Sequence, residues 1–204
     1  MTKSGILLVF VKFPEPGKVK TRLADELGTE VAAAHYREWI GRVLRNVQPT
    51  RESLHVVGYF DGATADRFSE WNGLVDNWRA QPAGDLGTRL ADGFEWGHRR
   101  GQPVIAIGTD CLDLTAEHVE SALQLLRERD AVFGPTTDGG YYLVGTRTHV
   151  PSLFDAVRWS SPHTLADNLE RCQSLGLRFL LLDELADIDT AADWREYQAR
   201  SKSR

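Results

Sequence analysis

The sequence has very few cysteines and no apolar run long enough to cross a membrane. Only two cysteines, Cys111 and Cys172, occur among 204 residues, and neither belongs to a CxxC or Cys/His ligand pattern. A disulfide framework and a zinc site are therefore not expected. The apolar run at 5–11, which follows Met1-Thr2-Lys3-Ser4, is too short for a membrane span and lacks a signal-peptide cleavage region. We expect a cytoplasmic protein with no membrane partner.

Basic residues are also in the minority. The 24 Lys and Arg side chains face 29 Asp and Glu side chains, which gives a net charge of −5. Because nucleic-acid-binding domains need a basic surface, a nucleic-acid partner is not expected. Two familiar phosphate-binding signatures, GxxxxGK[ST] and GxGxxG, are absent as well. The 42% hydrophobic and 26% charged residues are typical of a folded globular chain, and the length predicts one domain over residues 1–204.

Hydrophobic patterning predicts strands that alternate with helices. Strands are expected at 5–11, 54–60, 74–79, 103–108, 131–134, 141–145 and 177–182. Helices are expected at 29–48, 64–71, 85–98, 164–175 and 191–200, with another after Thr115; Thr29 and Thr115 are candidate N-caps and Gly176 a C-terminal cap. This α/β alternation predicts a three-layer α/β/α sandwich with a mostly parallel mixed sheet. Ligands bind beyond the carboxyl ends of such strands, so the residues there are the first functional candidates.

A basic loop follows the first predicted strand. Residues 12–23 read KFPEPGKVKTRL, in which Lys18, Lys20 and Arg22 alternate behind a Pro-Gly turn. The backbone N–H groups and positive charge of such a loop suit a phosphate chain. The spacing alone is equally compatible with a solvated basic turn, but the place of the loop after the first strand favours phosphate binding.

Aspartates follow two other predicted strands. Asp110 comes soon after the strand at 103–108, and carboxylate oxygens are ligands that Mg²⁺ and Mn²⁺ prefer. Asp113, by contrast, is explained by the helix terminus that follows it. Asp187 and Asp189 follow the last strand, and one of them could complete a metal site with Asp110, although Asp189 could instead cap the last helix. Cys111 is interpreted as a packing residue, and none of the six histidines is assigned any chemistry.

Two further segments each have a structural and a functional interpretation. Asp138-Gly139-Gly140-Tyr141 is a strong hairpin signal, but the same glycines could form a floor that lets a substrate approach the backbone. The loop at 158–163 carries Trp159, which is either a core residue or part of an acceptor site.

Six motifs together resemble a known family. PEPGKVKTRL, GDLGTRL, GTDCLDL, GPTTDGGYYLVG, RWSSP and DIDTAADW fall in the order seen in a bacterial glycosyltransferase-like family, which is associated in some genomes with arsenosugar biosynthesis gene clusters. That family is similar to the 2-phospholactate guanylyltransferases and the molybdenum-cofactor guanylyltransferases, all with the nucleotide-diphospho-sugar transferase (GT-A) fold. The resemblance runs from Leu7 to Trp194 and implies the GT-A fold here. Leu112 departs from it, since proline is usual at that position.

The resemblance implies roles for individual residues. Lys20 and Arg22 would contact nucleotide phosphates, Asp110 would bind Mg²⁺ or Mn²⁺, and Asp187 or Asp189 would supply a second metal ligand. Counting Asp110, Lys20 and Arg22 as catalytic, the remaining candidates are Lys12, Gly17, Lys18, Gly84 and Asp85 for the nucleotide and Asp138, Gly139, Gly140, Tyr141, Trp159 and Ser160 for the substrate.

By the same resemblance the protein is a metal-dependent transferase that uses a nucleotide-activated donor and a small-molecule acceptor. Glycosyl transfer from a nucleoside diphosphate (NDP) sugar is the first expectation. The alternative is transfer of a nucleoside monophosphate (NMP) from a nucleoside triphosphate (NTP) to a small phosphorylated substrate with release of pyrophosphate, which the basic loop suits physically. Both reactions place positive charge against a developing negative charge. A non-catalytic nucleotide-binding protein is the third hypothesis, and the presence of Asp110, Asp187 and Asp189 disfavours it.

Overall fold

Seven strands form a single sheet in the computed structural model, which describes residues 3–101 and 103–202. The expectation about the N-terminus falls partly on Met1 and Thr2, which lie outside the described residues. The strands are β1 (Gly5–Lys12), β2 (Leu54–Asp61), β3 (Asn77–Ala80), β4 (Val104–Ile107), β5 (Ala131–Pro135), β6 (Tyr141–Thr146) and β7 (Phe179–Leu181). Each corresponds to a strand predicted from the sequence, within a few residues at its ends.

The strand order is β3-β2-β1-β4-β6-β5-β7. β6 runs antiparallel to both of its neighbours, β4 and β5, while the other pairs are parallel. The mostly parallel mixed sheet is therefore confirmed. From β1 the chain builds outward to β2 and β3, and then returns to the other side of β1 as β4. This reversal creates a switch point between β1 and β4, where a cleft opens at the carboxyl ends of the strands.

Six α-helices cover the sheet in the described ranges: α1 (Thr21–Leu27), α2 (Thr29–Val47), α3 (Leu86–His98), α4 (Ala116–Leu125), α5 (Thr164–Ser174) and α6 (Ala191–Ser201). Two 3₁₀-helices cover Gln48–Glu52 and Ala65–Leu74, so the helix predicted near 64–71 is of the tighter kind. α1 was not predicted, because seven residues are too few to show a clear helical period. No helix along 3–101 and 103–202 has both the length and the apolarity that crossing a membrane requires.

Two hydrophobic cores, one on each face of the sheet, make the fold a three-layer sandwich. In β1, Leu7 and Val9 point into the core shared with α2, α4 and α6, whereas Ile6 and Leu8 point into the core shared with α3 and α5. Coverage of both faces explains why this strand is continuously apolar instead of alternating. Each of these buried aliphatic side chains contributes about 1.5–3 kcal/mol.

The helix ends agree with the sequence in two of three cases. Thr115 is the N-cap of α4, and Gly176 follows α5 with a left-handed φ of 67° while its N–H donates to the Gln173 carbonyl. Thr29 is not an N-cap, because it is the first residue of α2 itself and Gly28 occupies the cap position. The error arises because only one residue, Gly28, separates the end of α1 from the start of α2, which leaves no room for a separate capping threonine.

Candidate active site

Two adjoining cavities lie at the carboxyl ends of the central strands. The first, of about 280 Å³, is bordered by the ends of β1, β2 and β4, and the second, of about 290 Å³, by the β5–β6 turn and the segment after β7. Gly108, Asp110, Tyr141 and Tyr142 contribute to both walls. The sites predicted after the first, fourth and last strands therefore lie around one continuous cleft.

Lys20 lies at the centre of the charged residues in this cleft. Its Nζ lies 2.8 Å from Asp110 Oδ1 and 3.4 Å from Asp189 Oδ1, and it donates to the Ile188 carbonyl over 2.6 Å. The Lys20 side chain is only 6% exposed, whereas those of Asp110 and Asp189 are 48% and 41% exposed. Lys20 therefore binds carboxylates in this structure, instead of projecting into the cleft as a phosphate ligand would.

The surroundings of Lys20 keep it charged. Burial alone would lower the pKa of the ammonium, but the charge and hydrogen bond of Asp110, together with Asp189, raise this pKa above its usual range. The backbone of Lys20, just before α1, adopts a left-handed conformation with φ 46° and ψ 46°. For a residue other than glycine this conformation costs about 1–3 kcal/mol, so the contacts of the side chain must offset that cost.

The segment after β7 is fixed to the loop after β4. The Ile188 N–H donates to the Asp110 carbonyl over 3.1 Å, and the Ile188 side chain is buried in the core. Asp189 also pairs with Arg22 over 3.1 Å, which joins this segment to α1. The alternative that Asp189 caps α6 is wrong, because Thr190 is the N-cap and its hydroxyl accepts from the Asp193 N–H.

Asp187 and Asp138 add negative charge to the second cavity. Burial, followed by the charge of Asp138, raises the pKa of the Asp187 carboxyl above its usual range, and the ammonium of Lys20 only partly opposes this rise. A carboxyl with a raised pKa beside other carboxylates indicates a shortage of positive charge at that place. The cavity is therefore suited to a cation or to hydroxyl groups that donate hydrogen bonds.

The Asp138-Gly139-Gly140 segment forms the predicted hairpin turn. Asp138 Oδ1 accepts from the Thr136 hydroxyl over 2.6 Å and from the Gly140 N–H over 2.9 Å, which fixes the turn between β5 and β6. Asp138, Gly140 and Tyr141 line the second cavity, whereas Gly139 faces the carbonyl of Pro162. The hairpin interpretation is confirmed, and the turn also borders the cleft.

The first cavity contains polar residues that are not among the candidates predicted from the sequence. Lys12 was expected there, but Asp61 at the end of β2, Gln81 just after β3 and Arg89 on α3 line the cavity with it. Arg89 Nη1 donates to Asp61 Oδ2 over 2.6 Å and to Gln81 Oε1 over 3.0 Å. Asp61 and Gln81 could have been found by reading the ends of β2 and β3 as closely as the other strand ends.

Tyr36 connects the two strands on either side of the switch point. Its buried hydroxyl accepts from the Lys12 N–H over 3.3 Å and lies 3.0 Å from the Thr109 hydroxyl. Burial, together with the charge of Asp110, raises the pKa of Tyr36 to about 12, so the hydroxyl stays neutral. Tyr36 therefore holds the ends of β1 and β4 in a fixed relation.

Several predicted nucleotide residues lie away from the two cavity walls. Lys18 is exposed and pairs with Glu15 over 3.1 Å, and Gly17 belongs to the same open turn. Asp85 is the N-cap of α3, since it accepts from the Thr88 N–H over 2.8 Å, and the Gly84 carbonyl accepts from Arg89. The hydrogen bonds from Thr88 lower the pKa of Asp85. Their nucleotide contacts stay predictions, and Asp85 has an established local role in the helix.

Cys111 has the packing role expected for it. Its side chain is buried, and burial together with the charge of Asp110 raises the pKa of its thiol well above the usual range. Because the thiolate is the reactive form of cysteine, a thiol of this kind is inert.

Trp159 packs beside the cleft and does not contribute to the walls of the two cavities, whereas Ser160 lines the second. The Trp159 indole lies against Gly87 at the start of α3, and the ring centroid of Trp159 is 6.3 Å from that of Phe154. A Cβ at position 87 would overlap the indole nitrogen, so a larger residue there would force the Trp159 side chain to shift.

We expect Trp159→Ala to lower the free energy of unfolding by about 2 kcal/mol, because a half-buried indole is lost from between α3 and Phe154. Transfer should slow through displacement of Ser160, while nucleotide affinity stays within about twofold of wild type, since the indole is outside both cavity walls. Urea unfolding and nucleotide titration measure the two quantities. Trp159→Phe, which keeps an aromatic ring there, is the control. A loss of nucleotide affinity in a folded Trp159→Ala protein would contradict the expectation.

The predicted metal ligands fit a divalent cation in their chemistry but not in their present arrangement. Asp110, Asp187 and Asp189 all contribute carboxylates to the second cavity. Within residues 3–101 and 103–202, however, no group of three or more Asp, Glu, His or Cys residues is placed to hold a metal ion. Between Asp110 and Asp189 lies the ammonium of Lys20. Metal binding by these residues stays a prediction.

Comparisons with solved structures agree with the fold. The chain is similar to a protein from Desulfovibrio desulfuricans G20, provisionally named a nucleotide-diphospho-sugar transferase, with 31% identity and a TM-score of 0.89 over 98% of this chain and 89% of the other. An inositol-1-phosphate CTP transferase from T. maritima matches 98% of this chain and 97% of its own with a TM-score of 0.63 and 12% identity. A 4-diphosphocytidyl-2C-methyl-D-erythritol synthase from Anaerococcus prevotii DSM 20548 gives a TM-score of 0.65 at 10% identity, covering 97% and 99% of the two chains. The last two likenesses show the fold alone.

Sequence comparison identifies the family. No curated protein matches the chain. A family model described as "Uncharacterized protein conserved in bacteria (DUF2064)" matches residues 44–161, more than half of the chain, from within α2 to the loop that carries Trp159. Since the match includes β2 to β6 and the loop after β4, the chain belongs to the bacterial DUF2064 family.

Proposed function

We propose that this protein is a metal-dependent glycosyltransferase, which transfers a sugar from an NDP-sugar to a small acceptor. The observation that carries the proposal is the lining of the second cavity. Four aspartates (Asp110, Asp138, Asp187 and Asp189) and the hydroxyl residues Thr136, Ser160, Ser161 and Thr164 line it, and no Lys, Arg or His of the described chain is among its lining residues.

This lining suits a sugar better than a phosphorylated acceptor. Carboxylates accept hydrogen bonds from sugar hydroxyl groups, and serine and threonine can both donate and accept. Both reactions bring the phosphates of the donor to the reacting atoms, but nucleotidyl transfer to a phosphorylated substrate would bring the acceptor's phosphate as well. That second phosphate would face the like charges of the carboxylates, while the nearest basic residues, Lys20 and Arg22, already pair with Asp110 and Asp189. The electrostatics of the cavity therefore favour sugar transfer.

The first cavity is the proposed nucleotide site. It combines apolar walls from β1 and β4 with the polar groups of Lys12, Asp61, Gln81 and Arg89, a mixture that suits a base and ribose. Arg22 is exposed and pairs with Asp189, which lines the second cavity, so its guanidinium can move from that carboxylate to a phosphate oxygen. A divalent cation bound by Asp110 with Asp187 or Asp189 would neutralise the leaving diphosphate.

The comparisons support the same class of reaction. The relative from Desulfovibrio desulfuricans, 31% identical along nearly the whole chain, has a name that refers to nucleotide-diphospho-sugar transfer. The kinship with guanylyltransferases and with the arsenosugar-associated family, suggested by the sequence motifs, is part of the proposal. It would make a guanosine nucleotide the first donor to test.

Nucleotidyl transfer is the second candidate, and one observation favours it. The loop between β1 and α1 presents an exposed Lys18 and leads to the exposed Arg22, which together suit the longer phosphate chain of an NTP. A non-catalytic nucleotide-binding protein is the third, and the three aspartates beside Lys20 argue against it because binding alone does not require them.

Dissociation constants for NMP, NDP, NTP and NDP-sugar test the proposal. Under sugar transfer, the wild type should bind NDP and NDP-sugar with similar affinity and show little preference for NTP. Arg22→Ala should weaken the binding of NDP and of NDP-sugar by about tenfold each, which corresponds to the loss of one charge-assisted contact. Arg195→Ala is the matched control, because Arg195 is an exposed arginine that pairs with Glu26 away from the cleft.

A strong preference for NTP that disappears in Arg22→Ala would favour nucleotidyl transfer instead. An Arg22→Ala protein with wild-type affinity for every nucleotide would exclude Arg22 from the site. Once a donor is found, the protein is incubated with it, alone or with a simple polyol as acceptor. Detection of free sugar or of a glycosylated polyol by chromatography would identify the reaction as sugar transfer.

A further inference from the structure

We propose that the ammonium of Lys20 and a divalent cation are alternative occupants of the Asp110–Asp189 carboxylate pair. The metal then binds this pair tightly only when nucleotide phosphates draw Lys20 away from it. The inference rests on the proposed function, because it concerns the metal and nucleotide of the same cleft. It assigns Lys20 a role in ordering the binding of the two ligands, in addition to contacting a phosphate.

The contacts of Lys20 satisfy all three of its ammonium protons within the protein. Asp110 Oδ1 lies 2.8 Å from Nζ, the Ile188 carbonyl 2.6 Å and Asp189 Oδ1 3.4 Å. The rings of Tyr36 and Trp39 lie nearby, with centroids 6.0 and 5.7 Å from the same atom. This is a complete binding site for one cation, and the cation is supplied by the chain itself.

A metal cannot share this position with Lys20. Mg²⁺ binds carboxylate oxygens at about 2.0–2.1 Å, so an ion on Asp110 Oδ1 would lie within a few ångströms of Nζ. Two positive charges at that separation repel each other, and the oxygen that accepts from the ammonium would also have to ligate the metal. A metal on Asp110 Oδ1 and the ammonium of Lys20 therefore exclude each other.

The exposure of the residues indicates how the exchange can occur. The Asp110 and Asp189 side chains are 48% and 41% exposed, so both can be reached from the cleft, whereas Lys20 reaches them from the buried side at 6% exposure. Nucleotide phosphates offer Lys20 an alternative anionic partner. Ligands that favour the same rearranged state bind cooperatively, and each must raise the affinity of the other by the same factor.

A titration of the protein with MnCl₂ alone tests the proposal. The free Mn²⁺ concentration is measured by electron paramagnetic resonance. The wild type should bind Mn²⁺ weakly, and Lys20→Met should bind it at least about tenfold more tightly, because the cation shared by Asp110 and Asp189 is gone and Arg22 pairs only with Asp189. Lys3→Met is the matched control, since Lys3 pairs with Asp76 over 2.6 Å outside the cleft. That variant should bind Mn²⁺ as the wild type does.

A second measurement uses only the wild-type protein, so it does not depend on the folding of the variant. ADP, GDP, CDP and UDP are tested in parallel, and the one that binds should raise Mn²⁺ affinity by about tenfold or more. Wild type and Lys20→Met binding Mn²⁺ equally, or a nucleotide that binds without changing Mn²⁺ affinity, would overturn the inference. If no nucleotide binds at all, the proposed function fails, while the comparison of Lys20→Met with wild type still tests the exchange.

Discussion

Changing Asp110 to Asn is expected to slow transfer by about 100- to 1000-fold, the loss typical of removing one group that stabilises developing charge. Asp110 contacts Lys20 through its side chain and Ile188 through its backbone carbonyl, and it borders both cavities. Asn keeps the shape of the side chain and the backbone contact but removes the charge. Activation by Mg²⁺ or Mn²⁺ should disappear with it, as measured by rates at increasing metal concentration.

Asp113→Asn is the control for this prediction. Asp113 lies in the same loop but pairs with Arg200 over 3.7 Å on the side of α6. Its change should leave the rate within about threefold of wild type, since surface ion pairs contribute little. Thermal unfolding confirms that both variants are folded. Full metal-dependent activity in Asp110→Asn would exclude Asp110 as a ligand and as a catalytic group.

Gly139→Ala should lower the free energy of unfolding by about 3 kcal/mol, the second large effect. Gly139 has a left-handed φ of 88°, and a Cβ there would overlap the Pro162 carbonyl oxygen, a backbone atom that cannot simply rotate away. The Gly139 carbonyl also accepts from the Leu165 N–H over 3.0 Å at the start of α5. A methyl group would therefore push the β5–β6 turn away from α5, and urea unfolding measures the loss.

Gly176→Ala separates the two contributions. Gly176 also has a left-handed φ, 67°, but nothing lies within 4 Å of the position of its Cβ. Gly176→Ala should lower the free energy of unfolding by only about 1 kcal/mol, which is the contribution of backbone conformation alone. Equal losses in the two variants would show that backbone conformation, and not the contact with Pro162, makes glycine necessary at 139.

Much of the fold follows from local patterns in the sequence. The run at 5–11 predicted a strand covered on both faces, and the structure places Leu7 and Leu8 in opposite cores. Thr115 and Gly176 were identified as caps because their signals lie within a single turn of the helix. α1 and the cap of α2 were missed because two helices share the short segment around Gly28, so neither has a boundary of its own.

The charged cluster around Lys20 was predictable in part from the sequence, but the pairing of its members was not. Reading the residues after each strand identified Lys20, Asp110 and Asp189, which the structure brings together. The sequence could not indicate that Lys20 turns inward while Lys18 points to solvent, because that depends on the left-handed backbone at position 20. Arg89 was missed for a related reason: it reaches the cleft from a helix, and its partners follow strands far away in the chain.

The contacts of the 187–189 segment with the loop after β4 also order events during synthesis. β1 and β4 precede Ile188 and Asp189 in the sequence and are therefore synthesised before them. Until Ile188 and Asp189 have been added, the Lys20 ammonium lacks two of its three acceptors, and the loop at Asp110 lacks the N–H that fixes its carbonyl. A chain that stops before this segment would therefore contain all seven strands of the sheet but not the acceptors that complete the site of the Lys20 ammonium.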